Sequence, residues 1–316
     1  SSQPGGQMSD RRTVRFYQAD VFTDTVFGGN PVAVIPEADG LDVWEMQKIA
    51  REMNLSETVF VLPPTDPSAE YRLRFFTPTR EIPFAGHPVI GAFYVLAHLG
   101  VLRLQEPVTR VRQETSVGVF SLDLMVRDGL VRHIMMSQPR PEFLGMVEPL
   151  RDLFEVAKAV SVPKTQITGT GLPVEVVSTG FPVMIVPVRT LTAVSKASPN
   201  IALLNSICEQ HKAQGLMLFT TVTVEERSTV HTRMFASPVG VVEDPATGSA
   251  SGALGAYLVK HGVVDVGPTT EIICEQGYEV DRPSRLTVHV HSDDDEIQSV
   301  DVGGQAVMVI EGVVRF

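Results

Sequence analysis

Glu57 is a charged residue at a point where a charge is costly. It stands between Leu55 and the apolar, β-branched run from Thr58 to Leu62, which has the composition of a buried strand. A carboxylate at the mouth of such a strand needs partners or a proton. A carboxyl group withdrawn from water in this way suits general acid/base catalysis, so we predict that Glu57 transfers a proton. The alternative is an exposed acid in a loop.

Two glycine-containing turns supply a second kind of chemistry. Gly86-His87-Pro88 and Thr247-Gly248-Ser249 each precede an apolar segment of helical length. The first turn of a helix has unpaired backbone N–H groups and the positive end of the helix dipole, and both favour an anion such as a substrate carboxylate. Because glycine has no side chain, a ligand can come close to the backbone there. We predict that Gly86 and Gly248 lie in a substrate-binding site.

The polar residues of the two turns leave alternatives open. His87 is a candidate proton carrier or donor, although the positive end of a helix favours its neutral form; the alternative is a structural hydrogen bond in a loop. Ser249 is predicted either to bind the ligand or to cap the helix. Glu243 and Asp244 precede the second turn, where one of them is a candidate helix cap. The residue types thus predict a carboxylate site with proton-transfer groups nearby.

Both turns lead into segments that we predict to be buried helices. Among the eleven residues from Val89 to Leu99 only His98 is clearly polar, and Gly100 ends the run. A helix with almost no polar face packs against other elements on every side, and this one is too short to cross a bilayer. The strands predicted around it are mostly antiparallel, so each unit is expected to be a curled sheet around one apolar helix.

The chain contains this arrangement twice. Matching elements in the same order indicate two copies of one unit, with equivalent loops facing each other across a cleft; the alternative is chance similarity of apolar segments. Glu57 matches Leu216 at an offset of 159, so the architecture does not require its charge. The other matched pairs are Pro83 and Pro245, Gly86 and Gly248, and Gly100 and Gly262 (offset 162), Arg74 and Arg233 (offset 159), and Gly29 and Gly180 (offset 151).

Composition narrows the function classes. The 316 residues suffice for two domains of about 150 residues each. A net charge of -11 argues against nucleic acid or an anionic membrane as a partner. The chain has no Walker A loop, no Gly-x-Gly-x-x-Gly after a strand and no His-Glu-x-x-His. Phosphate-driven and zinc-protease chemistry are therefore disfavoured.

Cysteine and histidine usage bears on compartment and metals. Cys208 and Cys274 have neither metal-ligand spacing nor the density of a disulfide framework, which fits a reducing cytosol, although a pairing between them is left open. No N-terminal stretch has the apolar core of a signal peptide, and we predict a cytoplasmic protein. His289 and His291, with the acids after them, form a weak metal tract that we discount, because such positions on a late strand more often face solvent.

Seven short motifs are spread along the chain. They are Asp20-Val21-Phe22, Gly28-Gly29-Asn30-Pro31, Asn54-Leu55-Ser56-Glu57-Thr58, Pro83-Phe84-Ala85-Gly86-His87-Pro88, Glu243-Asp244-Pro245-Ala246-Thr247-Gly248-Ser249-Ala250, Glu275-Gln276-Gly277 and Arg282-Pro283-Ser284. Together these motifs resemble the phenazine-biosynthesis (PhzF-like) isomerase family, and the resemblance covers nearly the whole chain from Phe16 to Phe316. One departure is Asp281, where the family commonly has glycine.

The resemblance implies a diaminopimelate epimerase-like α+β fold. In such a fold two pseudo-symmetric domains each have a β-barrel-like sheet around a central apolar helix, and they exchange C-terminal strands. We accordingly expect an N-terminal domain over residues 13–128, with strand 303–316 swapped in, and a C-terminal domain over residues 129–302. A homodimer is suggested by the family likeness alone.

The resemblance also implies a site between the domains that uses neither a cofactor nor a metal. Glu57 is then the acid/base that moves a substrate proton. His87 and Asp244 are the further predicted catalytic residues, and the Gly248 region holds a carboxylate. Racemases of this fold use a cysteine pair, which Cys208 and Cys274 do not match in position. The predicted substrate-binding residues are Asn30, Gly86, Gly248, Ser249 and Gln276.

The leading functional hypothesis is an isomerase that shifts a proton and a double bond in a small carboxylate metabolite. The second hypothesis is a cofactor-free epimerase, racemase or lyase acting on an amino or hydroxy acid. A third is a metabolite-binding protein without turnover, against which the joint presence of Glu57, His87 and Asp244 counts.

Overall fold

The structure is a computed structural model that describes residues 12–148 and 150–316. The first half of the chain contains β1 (Thr13–Val21), β2 (Asn30–Ile35), α1 (Val43–Met53), β3 (Thr58–Leu62), β4 (Tyr71–Phe76), β5 (Glu81–Ile82), α2 (Gly86–His98), β6 (Val108–Thr115), β7 (Gly118–Arg127) and β8 (Leu130–Ser137).

The second half repeats this plan with additional outer helices. It contains β9 (Glu142–Met146), α3 (Leu150–Val160), α4 (Lys164–Thr168), β10 (Glu175–Ser178), β11 (Pro182–Pro187), α5 (Leu191–Lys196), α6 (Ile201–Gln210), β12 (Gly215–Thr220), β13 (Val230–Ala236), β14 (Val241–Asp244), α7 (Gly248–Lys260), β15 (Thr269–Gln276), β16 (Ser284–Asp293), β17 (Glu296–Gly304) and β18 (Ala306–Arg315).

The strands of both halves form one continuous hydrogen-bonded ladder. Its order is β18-β1-β2-β3-β4-β6-β7-β8 in the first half and continues as β17-β16-β15-β13-β12-β11-β10-β9 in the second. The parallel pairs are β2–β3 and β4–β6 on one side and β11–β12 and β13–β15 on the other. The same order recurs on both sides of the β8–β17 seam, so the duplication in the sequence is a duplication of structure.

The last strand and the seam join the two halves. β18 pairs along its length with β1, the first strand of the chain. β8 follows directly after the predicted domain boundary at 128/129 and pairs with both β7 and β17. The domain boundaries themselves stay a prediction.

The two apolar helices lie at the centre of the sheets. α2 and α7 are 13 residues long, and their buried residues belong to one continuous core. α2 begins at Gly86 and α7 at Gly248, so both glycine turns lie at the starts of these helices as predicted. Glycines allow close packing here, since a Cβ atom on Gly91 would lie 2.4 Å from Val32 Cγ1 and one on Gly255 would lie 2.6 Å from Val288 Cγ1.

The outer helix α1 delivers the chain to the candidate acid/base. Asp42 and Glu45 form a reciprocal capping box, so Asp42 caps the helix. Asn54 ends the helix in the left-handed conformation, which asparagine tolerates better than most residues. Glu57 follows three residues later, directly before β3. None of the described helices combines the length and apolarity needed to cross a membrane.

Candidate active site

Glu57 lies at the start of β3 with one carboxylate oxygen enclosed. Its side chain is 20% exposed, but Oε2 is buried and accepts no hydrogen bond from any described residue. Oε2 lies 3.5 Å from Nε2 of His87. The exposed-loop alternative for Glu57 is therefore wrong, because the carboxylate faces another titratable group. A buried carboxylate oxygen without a hydrogen-bond donor is energetically costly.

His87 is the second residue of α2 and reaches two acceptors. Its Nε2 lies 3.3 Å from the carbonyl oxygen of Pro31 and 3.5 Å from Glu57, and its side chain is 10% exposed. A proton on Nε2 can be donated to either oxygen. The imidazole is thereby held between strand β2 and the carboxylate of Glu57.

Asp244 approaches the same place from the second half of the chain. It ends β14, and its Oδ1 accepts a hydrogen bond of 3.0 Å from the Asn30 side chain while Oδ2 accepts one from the Thr247 hydroxyl. Burial raises the pKa of Asp244 to about 6, although the charge of His87 and the two hydrogen bonds lower it; the charge of Glu57 raises it further. Asp244 therefore shares one electrostatic environment with both groups of the first half.

Asn30 and Gln276 hold the turn that carries Asp244. Asn30 is buried and also donates to the carbonyl of Ala246 at 2.9 Å. Gln276 is fully buried; it donates to the backbone carbonyl of Asp244 and to the Thr247 hydroxyl, and it accepts from the Thr247 backbone N–H. Both amide side chains therefore hold the turn from Asp244 to Thr247 in place. Direct binding of substrate by Asn30 and Gln276 stays a prediction.

Neither central helix start is closed by a cap side chain. The N-cap residues are Ala85 for α2 and Thr247 for α7, and neither side chain caps its helix. The cap interpretation of Ser249 is wrong, because Ser249 lies inside α7, where its carbonyl accepts a 3.0 Å hydrogen bond from the Thr179 hydroxyl. The N–H groups of both first turns are thus left without a side-chain acceptor at the N-cap.

The two glycines at these helix starts differ in their surroundings. A Cβ atom on Gly86 would meet no atom within 4 Å, so open space borders that turn. A Cβ atom on Gly248 would lie in van der Waals contact with Phe22 at 3.6 Å and Val302 at 3.8 Å. Whether Gly86, Gly248 and Ser249 bind substrate stays a prediction.

Glu243 and Arg282 are structural neighbours of the site. Glu243 forms a two-pronged ion pair with Arg233 at 2.9 and 2.8 Å, so the acid next to Asp244 is already occupied. Arg282 donates to Asp20 at 2.7 Å and to the carbonyls of Gly28 and Gly29 at 2.7 and 2.8 Å, which clamps the loop leading to Asn30.

The departure from the family pattern at Asp281 has a simple explanation. Asp281 adopts φ +58°, in the left-handed region that favours glycine and that aspartate tolerates. The turn before Arg282 is therefore made by an aspartate in a conformation that glycine also adopts.

The thiols and the histidine tract have other partners or are buried. Cys208 in α6 and Cys274 in β15 are free and buried, and burial raises the pKa of each thiol to about 12. His289 is paired with Glu271 at 2.9 Å and His291 with Asp301 at 2.8 Å. Within residues 12–148 and 150–316 no group of three or more potential ligands is arranged to hold a metal ion.

Sequence reasoning missed two contributors to the site. The Thr247 hydroxyl is hydrogen-bonded to Asp244, and the Pro31 carbonyl helps to hold His87. Thr247 directly precedes Gly248 in the repeated turn, so its position was a usable signal. A backbone carbonyl carries no signal in the residue type.

The chain is similar to known proteins over nearly its whole length. A family model described as phenazine biosynthesis-like protein matches residues 19–312. The trans-2,3-dihydro-3-hydroxyanthranilate isomerase of Pseudomonas chlororaphis is 35% identical, covering 93% of this chain and 97% of its own length. An uncharacterized isomerase of Clostridium acetobutylicum is 34% identical, covering 95% and 97%.

A solved structure agrees with these relatives. The PhzF-family phenazine biosynthesis protein of Bacillus anthracis has a TM-score of 0.86 at 31% identity, over 96% of this chain and 99% of that one. The chain therefore belongs to the phenazine biosynthesis-like (PhzF) family. The predicted family, the α+β fold with two pseudo-symmetric halves and the isomerase class are confirmed.

Proposed function

We propose that the protein is a cofactor-independent isomerase that moves a proton and a double bond in a small carboxylate, with Glu57 as the general acid/base. The observation that carries the proposal is the buried, unpartnered Oε2 of Glu57, 3.5 Å from His87 Nε2. This oxygen is not engaged by a protein donor and the Glu57 side chain is 20% exposed, so the carboxyl group is suited to take a proton from a substrate carbon bound beside it.

The reaction begins when the Glu57 carboxylate accepts a proton from a carbon next to the substrate double bond. As that C–H bond breaks, its electron pair spreads along the double bond towards the substrate carboxylate. The N–H groups at the starts of α2 and α7 stabilise the growing negative charge, because they are fixed and point at the anion. Return of the proton to the far carbon forms a new C–H bond and leaves the double bond shifted, with no atom gained or lost.

His87 and Asp244 have distinct roles in this proposal. His87 lies beside Glu57, with Nε2 3.5 Å from Oε2, and can pass a proton to that carboxylate or to the substrate. With a pKa of about 6, Asp244 is divided between its protonated and ionised forms near neutral pH. It therefore suits hydrogen bonding to a polar group of the substrate, or supply of a second proton.

The test is incorporation of solvent deuterium, followed by proton NMR and mass spectrometry. The first substrate is trans-2,3-dihydro-3-hydroxyanthranilate, on which the P. chlororaphis relative acts according to its name; other cyclohexadiene carboxylates and amino acids follow. Glu57→Gln should slow exchange by about 10²- to 10⁴-fold, the usual contribution of a general acid/base. Glu52→Gln changes an exposed glutamate on α1 in the same way and should have no effect. Equal exchange by both variants removes Glu57 from the mechanism.

A second candidate function is epimerisation or water loss, using one acid/base from each half. Asp244 favours it, because a carboxyl group with a pKa of about 6 approaches from the half opposite Glu57. Chiral chromatography of the products distinguishes the two: inversion of a centre or loss of water indicates the second function, and a shifted double bond the first. A ligand bound without turnover in the whole panel indicates a metabolite-binding member.

The cytoplasmic location and the homodimer stay predictions. The two buried free thiols fit a reducing compartment. Light scattering coupled to size-exclusion chromatography measures the oligomeric state directly.

A further inference from the structure

A second cavity, of about 450 Å³, lies where the chain passes from one half to the other. Gly304 and Gln305, which connect β17 to β18, line it, together with His133 of the seam strand β8 and the segment from Thr23 to Gly28 after β1. Its volume falls in the range of small-molecule sites. Glu57, His87 and Asp244 are not among its lining residues, so this cavity is separate from the candidate active site.

Arg285 gives the cavity an unused donor. Its Nε lies in the interior without a hydrogen-bond acceptor among the described residues. A second guanidinium, that of Arg227, lines the same cavity, and neither arginine has a carboxylate within ion-pair distance in the part of the chain described. Guanidinium groups bind carboxylates with paired, charge-assisted hydrogen bonds. The two arginines therefore fit a carboxylate ligand.

Acidic and aromatic groups complete the lining. Asp24, Glu225 and Asp281 supply negative charge, so the cavity carries both signs. Burial raises the pKa of Tyr278 to about 12, which keeps its ring an uncharged phenol. The arginines, the acids and the aromatic ring match a ligand that has a carboxylate, a positive group and an apolar part.

The cavity is mechanically linked to the candidate active site. Phe22 donates to the carbonyl of Gln305 and accepts from the N–H of Arg285, both at 2.7 Å, and the segment from Thr23 to Gly28 follows it directly. That segment continues to Asn30, whose amide holds Asp244. A ligand in the cavity therefore contacts the loop that sets the position of Asn30.

We propose that this cavity is a binding site for a zwitterionic α-amino acid with an apolar side chain. The carboxylate contacts Arg285 and Arg227, the ammonium group contacts the acids, and the side chain lies against Tyr278 and the exposed Phe27. Binding of the amino acid does not depend on the proposed isomerisation. Only an effect of the bound amino acid on the reaction rate would rest on that proposed function.

Isothermal titration calorimetry of the full chain with three related probes tests the site. L-phenylalanine carries both charges, 3-phenylpropionate lacks the ammonium group and 2-phenylethylamine lacks the carboxylate. We expect L-phenylalanine to bind at least about tenfold more tightly than either. Arg285→Gln should weaken the binding of L-phenylalanine at least about tenfold. Arg227→Gln should also weaken it, and this variant provides the test if Arg285→Gln does not fold. Arg51→Gln, at an exposed arginine on α1, should change nothing.

One further variant separates this site from the candidate active site. Gly86→Ala adds a methyl group at the start of α2 and leaves the second cavity untouched, so L-phenylalanine binding should persist. Binding lost in Gly86→Ala but kept in Arg285→Gln places the ligand at the helix starts and overturns the proposal. Equal affinity for all three probes, or binding of none at millimolar concentration, overturns it too.

Discussion

Removing the Thr247 hydroxyl should raise the pKa of Asp244 well above its present value of about 6. The hydroxyl donates to Oδ2 of Asp244 and so favours the ionised form. A hydrogen bond to a charged group contributes about 1.5–3 kcal/mol, and one pKa unit corresponds to about 1.4 kcal/mol. Thr247→Val should therefore move the pKa upward by about 1 to 2 units, to about 7 to 8. Thr247→Ser keeps the hydroxyl and should keep the pKa near its original value.

The measurement is a carbon-detected NMR titration of protein labelled with ¹³C in its carboxyl groups. The Asp244 signal is identified by its loss in Asp244→Asn. Thr192→Val, at an exposed threonine of α5, controls for the substitution itself. A pKa in Thr247→Val that is unchanged or lower refutes the assignment of the hydroxyl as a stabiliser of the Asp244 carboxylate.

Two further predictions concern the helix start and a buried histidine. Gly86→Ala should leave the melting temperature unchanged, since its methyl group meets no atom within 4 Å, but should weaken carboxylate binding at least about tenfold; calorimetry with Gly267→Ala as the control checks this, and undiminished affinity contradicts it. Burial disfavours the charged form of His231, but hydrogen bonds to Glu275 and Glu279 outweigh it and raise its pKa from 6.5 to about 9. Its stabilising contribution is then complete below about pH 6.5 and is lost as the pH rises through about 9. In urea unfolding, the stability advantage of the wild type over His231→Gln should therefore shrink between pH 7 and 10, and a constant or growing advantage would argue against the charged histidine.

The parts of the fold that were predictable from sequence depend on local pattern and repetition. The run from Val89 to Leu99 has no polar face, so its burial follows from composition alone. The same turn before Gly248 then gives the second helix and the duplication. Glu57 stood out because a charge interrupts an otherwise apolar strand entry, and the structure places it beside His87.

The remaining features depend on residues far apart in the chain. Asn30 reaches Asp244 across 214 residues, and Gln276 reaches the backbone of the same turn, so no local pattern reveals that their amides hold protein atoms. Likewise β18 pairs with β1 at the opposite end of the chain. The pairing partner of a strand is set by the whole topology, whereas its existence is set by its own residues.

The fit of Asp281 shows how a residue type can mislead in isolation. Asp281 stands where the resembling family commonly has glycine, and it adopts the left-handed conformation that glycine favours. The clamp from Arg282 to Gly28 and Gly29 is consequently intact.

The most direct test of the central claim is a crystal structure of Glu57→Gln with a substrate carboxylate bound. The account predicts carboxylate oxygens within hydrogen-bond distance of backbone N–H groups at the Gly86 or Gly248 turn, with the carbon that loses its proton next to the side chain of residue 57. A substrate bound elsewhere, or one whose reacting carbon points away from that side chain, would contradict it.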